Sequence, residues 1–365
     1  MLIQIHILQN YAPSNLNRDD TGSPKDAVFG GFRRGRISSQ CLKRSIRRSE
    51  TFQTAFEDNG LLSKRTLLLP KLVDDELAAM GVEAAARQTI TKSLSELGGG
   101  KASDELKTRL LIFLGADEVK TVAAKLWALY QEKGQKEFDK LKIGDLEAAM
   151  AHAAPRSVDV AMFGRMTTSV AFEDVAAAVQ VAHALSTNGL DREFDYFTAV
   201  DDLSGESGAG MIGDVEFNSA TYYKYFNVHW EQLVANLGGD TEIAAQAVAA
   251  LIEAAAIAQP SGKQNSFAAQ NLPDFVMVEI SDKNIPVSYA NAFLKPADNF
   301  NGSLMENSIK KLDAYAAQVR TAYGLNGRRA HFAIPATELT GSKNIQSLPA
   351  LKEWAAAQIQ EAVNG

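Results

Sequence analysis

Thirty-one residues, Arg18 to Arg48, hold nine basic and three acidic side chains in a chain of 365 residues whose net charge is −7. The other 334 residues therefore carry −13. A fold cannot bury that many cations without a partner for each, so most of this stretch belongs at the surface, anchored by its few apolar side chains. Ser38-Ser39 offers a helix N-cap, and the helix is predicted over Gln40–Arg48. Leu42 and Ile46 fall within about 40° of each other on it, while Lys43, Arg44, Arg47 and Arg48 span a separate arc of about 140°. Such a helix packs Leu42 and Ile46 on a sheet and turns four cations outward. Upstream, Lys25, Arg33, Arg34 and Arg36 lie in a glycine-punctuated stretch where backbone amides also reach phosphates. In an acidic chain, this concentration favours polyanion binding over a solvated face.

The length fits two units or one large elaborated domain. A hydrophobic content of 46% with 22% charged residues excludes a disordered chain. One cysteine, Cys41, excludes an internal disulfide and every multi-cysteine zinc pattern. Met1–Leu8 lacks the basic start of a signal peptide, and no apolar run reaches membrane-spanning length. A soluble, cytoplasmic protein without a membrane partner is expected.

Leu2–Leu8 reads as a buried strand, and Gln9–Gly35 as a long loop. Pro70 and Pro155 bracket a proline-free interval with helical patterns at Asp74–Leu97, Asp104–Leu114 and Ala116–Lys133, a helical insertion. Beyond it, Val158–Phe163 reads as a strand and Glu173–Leu185 as an alanine-rich helix. Gly189–Gly213 reads as an acidic loop and Glu216–Val228 as an aromatic strand. Thr241–Ala258 reads as a helix capped by Asp240, and Phe275–Ile280 as a strand. With the insertion and acidic loop set aside, the order is strand, helix, strand, strand, helix, strand, with one extra helix after the second strand. It predicts an α+β fold with a ferredoxin-like or RNA-recognition-type sheet.

Several apparent motifs fail on context. Gly208-Ala209-Gly210-Met211-Ile212-Gly213 spells GxGxxG, but an acidic loop precedes it and a strand follows, so it opens no helix toward a pyrophosphate. Gly98-Gly99-Gly100-Lys101 lacks the spacing of a phosphate loop. His6, His152, His183, His229 and His331 show no metal-ligand spacing. His6 in an apolar strand and His183 on the alanine-rich helix read as structural. The Asp19-Asp20 pair reads as turn former or arginine partner. No metal, cofactor or catalytic set is expected.

Leu16-Asn17-Arg18-Asp19-Asp20, Phe29-Gly30-Gly31 and Arg36-Ile37-Ser38-Ser39-Gln40-Cys41-Leu42-Lys43-Arg44 resemble the backbone subunit of the type I-E CRISPR surveillance complex, Cascade, of the RAMP-like superfamily. Phe163-Gly164-Arg165-Met166-Thr167-Thr168-Ser169, Asp195-Tyr196-Phe197-Thr198-Ala199-Val200-Asp201-Asp202-Leu203, Tyr289-Ala290-Asn291-Ala292-Phe293 and Tyr323-Gly324-Leu325-Asn326-Gly327 extend the likeness. The resemblance implies a palm at residues 1–56 and 156–365, helical fingers at 57–155 and a thumb at 189–222. It implies a non-catalytic subunit that polymerises head to tail along CRISPR RNA, with other Cascade subunits, and presents the guide to target DNA. The RNA-contacting positions carried over are Arg18, Lys25, Ser38, Gln40, Lys43 and Arg47, with Met166 near the bases. Arg44, Arg165 and Lys263 are further candidate cations. Tyr196, Phe197 and Thr198 fall in the thumb, where the family commonly has Trp before Phe, leaving either aromatic as the base-displacing ring. Met166 and Phe197 would otherwise read as core. The alternative is a metal-independent endoribonuclease on a related fold, with a histidine as general base.

Overall fold

The computed structural model describes residues 1–98, 106–151, 157–199, 203 and 211–364. In chain order its first elements are β1 (Leu2–Ser14), β2 (Asp26–Phe29), β3 (Phe32–Ile37), α1 (Ser39–Arg47) and α2 (Glu50–Phe56). Next come β4 (Lys64–Thr66), α3 (Leu69–Ala79), α4 (Ala84–Leu94), β5 (Ile112–Leu114), α5 (Ala116–Phe138), α6 (Ile143–Met150) and α7 (Val158–Phe163). Then follow β6 (Val179–Val181), β7 (Ala184–Ser186), β8 (Glu193–Thr198), β9 (Ile212–His229), α8 (Trp230–Asn236) and α9 (Thr241–Ile257). The chain closes with α10 (Gln264–Phe267), β10 (Phe275–Ser281), a 3₁₀ turn at Ala290–Phe293, α11 (Leu304–Tyr323), β11 (Arg328–Ala333), β12 (Lys343–Asn344) and α12 (Leu348–Asn364).

Two compact units share these elements. The first comprises Met1–Phe52, Gln180–His229 and Val248–Gly365. The second comprises Gln53–Val179 and Trp230–Ala247, and so extends past the expected 57–155. The large sheet runs β12-β11-β10-β1-β9-β7-β3-β2, with β6 and β8 also pairing with β9. At its centre β1 lies antiparallel to β9, from Leu2↔His229 to Tyr11↔Ala220, and antiparallel to β10 on its other side. Because side chains alternate, one face presents Leu8, Tyr223, Tyr225, Phe275 and Met277, which join Tyr289, Phe293, Ile309 and Leu312 in a buried cluster. The second unit has its own core, built from α3 to α6 around Val73, Leu77, Ile90, Val122, Leu126 and Phe138.

The helix after Ser38, the Asp240-capped helix and the strand at Phe275 form where the sequence places them. Six segments differ. Val158–Phe163 is a helix, since a short apolar run fits either state. Glu173–Leu185 is no helix: its end supplies β6 and β7, and Ala184↔Ile37 and Leu185↔Tyr223 pairing overrides alanine's propensity. The Gln9–Gly35 stretch is largely strand, because β1 continues to Ser14 and Phe29↔Phe32 closes a two-residue hairpin over Gly30-Gly31. Both glycines take positive φ (64° and 82°), which the tight turn demands. Asp74–Leu97 divides into α3 and α4, and Ile112–Leu114 pairs with Lys64–Thr66 as a strand. The acidic loop contains β8, paired with β9 from Glu193↔Phe217 to Thr198↔Ile212. Gly99 to Lys101, Asp104, His152, Pro155 and Val200, with Asp201, Asp202, Gly205, Gly208 and Gly210, lie outside the described residues.

On the other face of β9, Lys224 is fully buried and its Nζ has no hydrogen-bond partner among the described residues. It stands 5.7 Å from the Tyr11 ring centroid, and burial pushes its ammonium down to about 7. Between that value and the unfolded one the native state binds fewer protons, so stability rises with pH across the interval. Lys224→Met is expected to gain ~2–4 kcal/mol near neutral pH and almost nothing above about pH 10. Denaturant unfolding across pH checks this, and a pH-independent difference contradicts it.

Candidate nucleic-acid interface

The N-terminus of α1 is built from Ser38, whose hydroxyl accepts from Cys41 N at 3.3 Å. Its own N–H donates to Asn17 Oδ1 at 2.8 Å, tying the helix start to the preceding loop. Leu42 and Ile46 are buried, as the helical wheel requires. The cations divide more finely than expected: Arg44 and Arg48 are exposed, whereas Lys43 and Arg47 are half-buried. Burial pulls the Lys43 ammonium below its ordinary value. Gln40 is exposed beside Ser39, whose hydroxyl donates to Gln40 Oε1 at 3.4 Å.

The loop before β2 is rigidly held. Lys25 N donates to Asn17 O at 2.8 Å and Lys25 O accepts from Arg36 N at 2.9 Å. Asp19 Oδ1 accepts from Thr21 N, Thr21 Oγ1 and Ser23 N, so this carboxylate shapes its own turn. That leaves Arg18 exposed in the lining of a cleft of roughly 340 Å³, which Leu16, Asn17, Asp19, Cys41, Arg44, Ser45, Ser261 and Gly262 also line. A Cβ on Gly262 would stand 2.2 Å from Leu16 O, so only glycine lets these two loops meet. The next residue, half-buried Lys263, holds a left-handed backbone (φ 51°), uncommon for a side-chain-bearing residue. Tertiary structure thus brings Arg18 and Arg44 together with the loop that carries Lys263.

Three arginines of the basic stretch have partners within the protein. Arg34 is fully buried and donates to the carbonyls of Ser186, Thr187, Phe293 and Leu294, so it is a structural clamp rather than a surface cation. Arg33 pairs with Asp26, which also takes Arg192. Arg36 Nε donates to Asp26 O at 3.0 Å, and its Nη1 lies 3.2 Å from His183 Nδ1. The sequence pattern predicts His183 as a structural histidine on a helix. It is exposed, and extended backbone carries it to the basic stretch.

Arg165, a candidate RNA-facing cation by sequence, is instead a buried anchor. Its side chain is 1% exposed and pairs with Glu118 at 2.9 Å, while it also donates to the carbonyls of Phe113 and Glu173. Burial raises the Glu118 carboxyl, against the opposing charge of Arg165. Next to this anchor Met166 is 92% exposed, so it is not core. On β8 every residue is exposed. Tyr196 and Thr198 share one face of the hairpin, and Phe197 points to the other, its ring lying against Gly213. Tyr196 is 65% and Phe197 39% exposed. Arg192 Nε pairs with Glu216 at 3.0 Å at the base of the hairpin.

The histidines differ sharply from one another. His6 is fully buried, with Nδ1 2.8 Å from Tyr223 OH and Nε2 3.4 Å from Glu279. Burial alone would raise the Glu279 carboxyl, but the hydrogen bond from His6 and the charges of His6, Arg329 and Arg320 hold it below its ordinary value. His331 is also fully buried, its Nδ1 2.8 Å from Ser342 Oγ.

The fold is α+β, with a large sheet in one unit and helices gathered in the other. Residues 3–360 match the model of the CT1975-like protein family. The chain belongs to that family. A chain in a structure described as "CRISPR RNA-guided surveillance complex, pre-nicking" is 30% identical with a TM-score of 0.82, covering 98% of this chain and 100% of that one. A chain from a second "CRISPR RNA-guided surveillance complex" is 26% identical with a TM-score of 0.61, covering 98% of this chain and 99% of that one. No curated protein matches.

Arg165→Ala leaves Glu118 buried without its cation, which is expected to cost about 3–5 kcal/mol of stability. The double variant Arg165→Met with Glu118→Leu removes both charges and should recover most of the loss. Thermal unfolding of both variants checks this; an unchanged midpoint in Arg165→Ala contradicts it.

Proposed function

We propose that the chain is a non-catalytic CRISPR RNA-binding subunit of an RNA-guided surveillance complex, the backbone subunit of a type I-E Cascade. The observation that carries this is the cleft of the sheet-bearing unit, where Arg18 and Arg44 meet the loop before Lys263 in an otherwise acidic chain. Near full-length likeness to chains of two RNA-guided complexes supports it. The order β10-β1-β9-β7, with α1 following β1 in sequence and α9 following β9, supports a ferredoxin-like palm. The helical second unit then serves as fingers and the β8–β9 hairpin as thumb.

Cations on a helix and on pinned loops hold a phosphate backbone without reading bases, which suits a subunit that accepts any guide. Met166 and Tyr196 offer exposed faces on which bases stack. The hairpin is acidic, so we assign its carboxylates, among them Glu193, Asp195 and Asp214, to the basic surface of the next copy. Unlike patches then meet, and the contact propagates head to tail. Other Cascade subunits and target DNA, reached through the guide, complete the partners, and no cofactor is needed. A nuclease relying on His6 is disfavoured by that residue's complete burial.

Arg18→Ala with Arg44→Ala should weaken binding to single-stranded RNAs of unrelated sequence alike and reduce the log–log salt slope by about 2. Because both side chains are exposed, thermal stability should stay near wild type. Binding isotherms at several salt concentrations check this. A loss confined to one sequence, or an unchanged slope, overturns the assignment.

A further inference from the structure

We propose that His183, with Arg36 and Lys25, forms a phosphate seat on the sheet-bearing unit in which RNA binding takes up a proton. This rests on the reading of that unit as an RNA-binding surface, and adds a residue and a pH dependence to it.

Arg36 Nη1 and His183 Nδ1 share a hydrogen bond at 3.2 Å. A guanidinium only donates, so Nδ1 must be the acceptor and the neutral ring carries its proton on Nε2. His183 is exposed, so the Nε2–H is a donor available at the surface beside a cation. Arg36 itself is fixed, because its Nε donates to Asp26 O and its backbone N–H to Lys25 O. Lys25 is the second cation whose charge acts on the ring. The near acid, Asp26, is already engaged by Arg33 and Arg192. Two cations and a neutral N–H donor thus act together, while the near acid is claimed by other arginines.

That arrangement has a proton-linked consequence. Partial burial, then the charges of Arg36 and Lys25, hold His183 below its ordinary value, so the ring is neutral near pH 7 in the free protein. A phosphodiester placed against the three groups offsets part of that positive field, and favours imidazolium relative to the free protein. The bound-state pKa therefore exceeds the free-state one. Affinity rises as pH falls through the bound-state value and levels off below the free-state value. An Nδ1 that becomes protonated no longer accepts from Arg36, which frees that Nη1 for the phosphate.

The test compares wild type, His183→Gln and His183→Lys for binding to a single-stranded RNA of mixed sequence between about pH 6 and about pH 8, at constant ionic strength. Wild type should bind ~2–5-fold tighter at the lower pH, against a ceiling of tenfold per pH unit for one proton. His183→Gln should lose that increment, and His183→Lys should bind at least as tightly as wild type at the upper pH with a flattened profile. RNA binding with the same pH increment in His183→Gln overturns the seat, and leaves the function proposed above intact. No RNA binding by wild type at any pH overturns both.

Discussion

The antiparallel pairing of β1 with β9 sets almost everything else. From Leu2↔His229 to Tyr11↔Ala220 the register is unbroken, and it decides which side chains share a face. His6 stands opposite Tyr225, and Ile7 opposite Lys224. A slip of one residue would exchange the faces, sending the Tyr223–Tyr225 aromatic cluster to the Lys224 side. Both strands then continue past the centre at the same end of the pair. β1 runs on through Ser14 into the pinned loop of Arg18, while the outer end of β9 pairs with the all-exposed β8. One strand pair therefore carries both the cationic loop and the aromatic hairpin.

Charge in this protein falls into two populations that composition cannot separate. Arg34, Arg165, Arg329 and Lys224 are buried, and their work is internal. Arg34 joins the β3 strand to the Ser186–Thr187 and Phe293–Leu294 carbonyls, and Arg165 neutralises Glu118. Arg18, Arg44 and Arg48 are exposed. The seeming block of nine cations is thus a surface row interleaved with a clamp. Under the proposed function, a polyanion meets the exposed cations, the half-buried Lys43 and Arg47, and the Arg36–His183 pair.

Much of this was legible in the sequence, for identifiable reasons. The α1 pattern was readable because Ser38 caps it and Leu42 and Ile46 recur at helical spacing, a local signal. The resemblance led to Met166, which composition alone would have placed in the core. The errors share a different origin. The alanine-rich stretch ending at Leu185 has the local preferences of a helix, yet it pairs with β9, and only long-range contact settles that. His183 was lost with it, since a helix there would not have delivered the ring to Arg36. Arg34 and Arg165 look like their exposed neighbours in sequence, and the carbonyls and carboxylate that claim them lie far along the chain. The hairpin at Gly30-Gly31 was available, because adjacent glycines between apolar residues signal a two-residue turn.

The central claim is that this surface holds a continuous RNA backbone through several copies of the chain. Footprinting of a long single-stranded RNA saturated with the purified protein tests it most directly. Phosphate-directed probing should show protection extending along the strand, while base-directed probing should show exposure recurring at a fixed interval. That repeat should persist when the sequence is changed. Protection confined to one sequence element, or base exposure without any repeat, would contradict the account.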